Sequence, residues 1–259
     1  MYKIVKFILL AAVFCLFVGC SDKLRVFSLN GQFGYMNDNG EVVIEPQFKT
    51  AQDFLQSGLA VVGKDGKYGF INRKGELVVP LQFEYVENFA KNSLAVFKKD
   101  GKYGLVDTKG AIIVKSEFDY IGHFAKNGFA MVGKDGKYGY VNATGDIVIK
   151  PQFRVADHFA DNGLARVGVY AEDGFLKDGF IDIYGKFVIP PQFDFAFSFS
   201  PEGLANVKKG SDWGYINENG EFVFISDTIC GVEVLKNPQG EIIYPKKSVE
   251  EICAQAKEN

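Results

Sequence analysis

Catalytic and metal-binding residue types are scarce in this chain. Its 259 residues include four cysteines, two histidines and one tryptophan. The cysteines show no zinc or haem spacing, and the histidines, His123 and His158, have no third ligand at a useful interval. There is no Gly-x-Ser-x-Gly, no phosphate-binding glycine loop, no calcium loop and no Ser-His-Asp arrangement in a meaningful context. No cofactor, metal site or catalytic residue is expected, and the chain reads as non-enzymatic. Long apolar runs are also missing after the N-terminus, so the mature chain is not expected to span a membrane with helices. Helix-forming stretches are few until the last dozen residues.

What the chain has is repetition. Gly63-Lys-Asp-Gly-Lys-Tyr-Gly-Phe-Ile-Asn72 returns as Lys98–Asp107 and again as Gly133–Asn142, each copy 35 residues after the last. An aromatic-Gly pair falls at Phe33-Gly34, Tyr68-Gly69, Tyr103-Gly104, Tyr138-Gly139 and Trp213-Gly214, with Asp178-Gly179 in the same place after a five-residue insertion. Within one unit, Leu59–Gly63 and Tyr68–Asn72 read as strands. The Asp65-Gly66 between them suits a tight hairpin that needs positive φ. Asn72-Arg-Lys-Gly75 fits a type I turn, and Glu76–Val79 is a third strand, with Pro80 expected to stop it. Each unit is therefore expected to be a three-stranded antiparallel meander.

Phe48, Phe83, Phe118, Phe153 and Phe193 recur in the links, each followed six residues later by Phe54, Phe89, Phe124, Phe159 or Phe199. Burying one such ring is worth about 1.5–3 kcal/mol, and a single unit cannot cover them. They are expected to form a core shared between stacked units. The fold class is all-β: tandem repeats of about 35 residues in an open or curved solenoid-like array, the alternative being a closed propeller. Residues 24–225 make the repeat domain. Residues 226–259 form a degenerate hairpin and a short helix, opened by the capping-box spacing Ser248-Val-Glu-Glu251.

The recurring Tyr/Trp-Gly-Tyr/Phe-Ile-Asn…Gly…Val-Ile…Pro-Gln-Phe…Phe…Gly-Leu-Ala frame resembles the WG-repeat family of bacterial proteins. The frame departs from the family name in carrying Trp only at Trp213. The resemblance implies an all-β repeat architecture and says little about biochemistry.

Lys3 and Lys6 precede an apolar run, Phe7–Val18, that ends at Gly19-Cys20, as in a secretory signal. Leu16-Phe-Val-Gly-Cys20 resembles a bacterial lipobox, with Phe17 as the departure. That resemblance implies cleavage after residue 19, lipidation at Cys20, residues 20–23 as a tether, and a membrane-anchored lipoprotein at the cell envelope, facing periplasm or exterior. Loss of residues 1–19 removes two lysines and no acids, moving the formal charge from −3 to −5. An acidic chain does not suit nucleic acid as a partner. Cys230 and Cys253 remain in a compartment that permits disulfides, and spacing leaves open whether they pair.

Two features are candidates for contact with a protein or glycan partner. Lys64, Lys67, Lys99, Lys102, Lys134 and Lys137 flank the tight turns and are expected to line a basic rim, although such rows also guard strand edges. The insertion Val169–Lys177 is expected to lengthen one hairpin and place Tyr170, Phe175 and Leu176 in a projecting loop. The reading that follows is a lipid-anchored binding protein. The alternative is a structural spacer or assembly scaffold without a dedicated ligand.

Overall fold

The computed structural model describes residues 23–256. The expected signal segment, residues 1–19, and the expected lipidation site Cys20 lie outside the described residues. The chain folds into six antiparallel sheets laid down in sequence order. The first holds three strands, β1 (Arg25–Leu29), β2 (Gln32–Met36) and β3 (Val42–Phe48). Four sheets of four strands follow. They are β4 (Thr50–Ala51) with β5 (Ala60–Lys64), β6 (Lys67–Ile71) and β7 (Leu77–Phe83); β8 (Tyr85–Val86) with β9 (Leu94–Lys99), β10 (Lys102–Asp107) and β11 (Ile112–Phe118); β12 (Tyr120–Ile121) with β13 (Ala130–Lys134), β14 (Lys137–Val141) and β15 (Ile147–Phe153); and β16 (Val155–Ala156) with β17 (Ala165–Tyr170), β18 (Leu176–Ile181) and β19 (Phe187–Phe193). The last sheet has six: β20 (Phe195–Ala196), β21 (Ala205–Lys209), β22 (Asp212–Ile216), β23 (Phe222–Ile229), β24 (Val232–Lys236) and β25 (Ile242–Tyr244). No sheet among the described residues closes on itself, and the stacked units make an open, solenoid-like array.

Two expectations are corrected. The repeating sheet has four strands, because the link after each core Phe pairs with the next unit. The backbone N–H groups of Lys49 and Gln52 donate to Gly63 and Val61, at 2.8 and 3.0 Å. Nor does Pro80 stop its strand. β7 runs through it, because the register jumps from Tyr68↔Phe83 to Phe70↔Val79 and the proline sits in the resulting bulge, where no ladder donor is needed.

Close approach of the neighbouring strand explains the glycine of the aromatic-Gly pair, in the bulged sheets and opposite β23 alike. A Cβ on Gly69 would lie 2.4 Å from the Val79 carbonyl oxygen, and one on Gly139 would lie 2.2 Å from that of Ile149. The bulged strand passes too close for any side chain there. The tight hairpins form as their sequence implies, with Asp65 and Gly66 at φ 52° and 71°.

The core lies between sheets. Phe70, Val79 and Phe83 of one unit pack with Ala95, Phe97 and Val106 of the next, and the Phe83 and Phe97 rings stack at 4.2 Å. The later Phe of each link covers the same seam, as in Phe70–Phe89 at 4.5 Å and Phe180–Phe199 at 4.7 Å. At the C-terminus, α1 (Val249–Ala256) is capped reciprocally by Ser248 and Glu251. Cys230 and Cys253 are disulfide-bonded, with Cα atoms 5.1 Å apart.

Candidate functional site

Three of the six lysines flanking the hairpin turns are engaged by neighbouring side chains. Lys102 pairs with Asp119, and Lys134 reaches Glu117 at 2.5 Å while lying 5.9 Å from the centre of the Phe118 ring. Lys99 donates to Gln82 at 3.3 Å. Lys64, Lys67 and Lys137 are exposed. The partners come from the linking segment 17 residues away, which repeats with the same period.

A related rule escaped the sequence reading. In four of the five links the residue after the core Phe caps the next hairpin turn. Glu84 accepts the N–H groups of Asp100 and Gly101, Asp119 that of Asp135, and Asp194 that of Gly210. Arg154 inverts the polarity and donates to the Gly136 carbonyl at 3.0 Å. Lys102 and the Asp135 N–H hold the Asp119 carboxyl below the usual range, and Lys177 with the Gly210 N–H does the same for Asp194. These carboxylates serve conformation first.

The insertion forms a longer hairpin, not a loose loop. Tyr170 pairs with Leu176 as the last rung between β17 and β18. The turn is closed by Ala171 N–H to Phe175 O at 2.9 Å and by Asp173, which accepts the Phe175 N–H. Tyr170 and Phe175 are 63% and 69% exposed, whereas Leu176 folds back toward Gly168. β-prone side chains flanking the inserted turn extended the ladder by pairing.

At the foot of this hairpin lies an ionic cluster. Asp178, standing where other units have an aromatic ring, is 3% exposed. Its carboxylate accepts the Ala196 N–H at 2.8 Å and lies 3.5 Å from Arg166. Arg166 also donates to the Ala196 carbonyl at 2.6 Å, lies 3.2 Å from Asp157, and sits over the Phe195 ring. Burial pushes the Asp178 carboxyl up, and Arg166 opposes that shift. The signal was present in the chain: Arg166 replaces the Val61, Val96 and Met131 of other units, one strand from Asp178. Reading each residue separately hid the pair.

A groove runs along the short-strand edge between the third and fourth sheets, as two adjoining cavities of about 490 and 210 Å³ that share Tyr85, Glu87, Gly122 and His123. His123 is 87% exposed, and its Nδ1 lies 3.4 Å from Glu87. His158 is exposed too, with its ring beside Gly122. No group of metal-ligating residues occurs among the described residues.

The chain matches the WG containing repeat five times, at residues 33–68, 68–103, 103–138, 138–169 and 179–211. No curated protein matches it in sequence. Similar solved structures include the crystal structure of the eukaryotic initiation factor, at 10% identity over 86% of this chain and 72% of that one, TM-score 0.42. Kluyveromyces lactis Hsv2p is 11% identical over 76% and 71%, TM-score 0.37. The WD40 domain of Toxoplasma gondii coronin is 11% identical over 85% and 77%, TM-score 0.31.

Proposed function

This chain belongs to the WG containing repeat family, and we propose that it is a lipid-anchored, non-enzymatic cell-envelope protein that presents its β-repeat surface to a protein or glycan partner. The observation that carries the proposal is the exposed aromatic pair Tyr170 and Phe175, raised on the one hairpin that the insertion lengthens. Large exposed apolar side chains on a rigid projection favour contact over solvation. The lysine rows support partner binding less well, since carboxylates and amides of the same chain already engage three of the six. Anchoring rests on the lipobox resemblance at Cys20.

Affinity capture from envelope extracts tests the binding surface. The mature chain is expected to enrich a specific partner, and Tyr170→Ser/Phe175→Ser to lose it at unchanged folding. Equal enrichment by both would remove the hairpin from the interface, and no enrichment by either would favour a scaffold without a ligand. Metabolic labelling with a palmitate analogue tests the anchor: wild type labels, Cys20→Ala does not.

A further inference from the structure

The first sheet lacks one part that all the others share. In each of the other five sheets the incoming link lays a two-residue strand along the first long strand: β4 on β5, β8 on β9, β12 on β13, β16 on β17 and β20 on β21. β1 stands at the edge of its sheet, and among the described residues no strand pairs with its outer side.

The difference shows in the strand itself. Residues 60–63 of β5 are buried, whereas the aligned Arg25 and Ser28 of β1 are exposed and Val26 and Phe27 half-buried. In the second sheet the carbonyls of Val61 and Gly63 accept N–H groups of the link. Their counterparts, at Val26 and Ser28, have no such donor among the described residues. The contact on that side is Asp53, whose Oδ1 accepts the Val26 N–H at 3.3 Å. The usual devices that blunt an edge are few here. β1 holds no proline, its register with β2 runs unbroken, and its one charged residue, Arg25, is drawn to Asp38 at 2.9 Å.

The links show what such an edge accepts. The second residue of the short strand is small or branched and buried, as at Val86, Ile121 and Ala196. The first is an aromatic about two-fifths exposed in three links, at Tyr85, Tyr120 and Phe195. In the same three links the residue before it is the carboxylate that caps the hairpin turn, Glu84, Asp119 or Asp194. The first sheet's turn, Asn30-Gly31, has the same left-handed backbone, with φ 52° and 73°, and no such cap among the described residues. On a free edge, main-chain hydrogen bonds supply affinity and alternate side chains supply specificity.

We propose that β1 accepts, antiparallel, an extended segment of a partner protein with the order acidic, aromatic, branched aliphatic, its carboxylate over the Asn30-Gly31 turn. The chain's own segments of that order, which begin at Glu84 and Asp119, are already paired within it, so the donor is a different protein. β1 belongs to the first sheet and the inserted hairpin to the fifth, so this site does not rest on the partner reading given above.

The probe is a fluorescein-labelled peptide of residues 82–89, Gln-Phe-Glu-Tyr-Val-Glu-Asn-Phe, titrated with the mature chain and read by anisotropy. Saturable binding is expected, with hydrogen exchange slowed at Ser28 and at the Asn30-Gly31 turn. Within the third sheet the Glu87 N–H donates to the Val96 carbonyl at 2.8 Å. N-methylation of that amide in the peptide should therefore weaken binding by about tenfold, and Glu84→Gln in the peptide should weaken it several-fold. Ser28→Pro in the protein removes an N–H on an open edge, where proline is tolerated. It should abolish binding while circular dichroism and melting stay unchanged. Tyr170→Ser/Phe175→Ser should bind as wild type. No saturation, equal affinity for the N-methylated peptide, or slowed exchange at β9 in place of β1 would overturn the proposal. Should Ser28→Pro unfold, the N-methylated peptide decides the matter on the unaltered protein.

Discussion

The inner sheets and the last sheet use the same first three strands and differ in what the fourth one does. In the inner sheets a Phe closes the fourth strand, pairs opposite the aromatic position and is buried, as with Phe118 across from Tyr103. The strand bulges to bring that ring inward and then crosses to the next sheet. In the last sheet the corresponding residue is Thr228. β23 runs straight past Trp213, Gly214 and Tyr215, with partners Ser226, Ile225 and Phe224, and folds back as β24 in the same sheet. Without a large apolar side chain to bury, nothing compensates a bulge for its lost ladder bonds. The loss of the Phe, together with that of the later Phe of the link, which is Val234 here, coincides with the end of the array.

Truncating the Phe that closes an inner sheet should do the most damage. Phe118→Ala removes a ring shared by two sheets and is expected to cost about 3–5 kcal/mol. Thr228→Ala should stay within about 0.5 kcal/mol, with urea unfolding as the measurement for both. Comparable losses would mean that the Phe is not what drives the crossing.

The Arg166–Asp178 pair sharpens it next, because it is an inner sheet built without the aromatic. Arg166→Ala leaves a buried carboxylate unpaired and should cost about 3 kcal/mol or somewhat more. Arg166→Met/Asp178→Tyr, which copies Met131 and Tyr138, should recover most of the loss. The single variant also carries a pH signature. Burial already raises the Asp178 carboxyl and Arg166 opposes that, so removing Arg166 raises it further. A folded state that binds the proton more tightly than the unfolded chain gains stability as pH falls. Arg166→Ala should therefore regain part of its deficit between pH 7 and 4, and a deficit independent of pH would point to packing alone.

The smallest effect should come from the turn caps. Asp119→Asn is expected to destabilise modestly, since its carboxylate caps the Asp135 N–H and pairs with Lys102. The folded state lowers this carboxyl, so its contribution exists above the unfolded-state value and disappears as pH falls through the folded one. Wild type and variant should converge in thermal melts in acid. The last sheet's β23–β24 hairpin, tied by Cys230–Cys253, should respond to reductant, and its Lys236–Asp227 pair, which lowers the Asp227 carboxyl, gives it an acid response as well.

Repetition made much of this legible. Asp-Gly at two-residue loops, Asn-x-x-Gly frames and paired phenylalanines each act over a few residues, so their meaning survives without a fold. Asn72 shows this: its Oδ1 accepts the Lys74 and Glu76 N–H groups, as a turn-forming residue should. The fourth strand was not legible, because Thr50–Ala51 is too short to show a period and pairs only once the next unit is beside it. The conformational role of Glu84 and Asp119, whose partners lie 16 or 17 residues on, and the juxtaposition of Arg166 with Asp157, likewise depend on residues from separate strands and links that become adjacent only in space.

The amino-acid sequence by itself determined an all-β repeat of 35 residues, its hairpins and the membership of its core, because those follow from local backbone preference and from apolar surface that one unit cannot cover. The fold adds that three of the six turn lysines are engaged, that the recurring glycine lets a neighbouring strand pass closely, and that Arg166, Asp157 and Asp178 meet in one cluster. Each of these depends on how closely neighbouring strands and units approach. That distance is set by the packing of whole sheets, which no single stretch of the chain encodes.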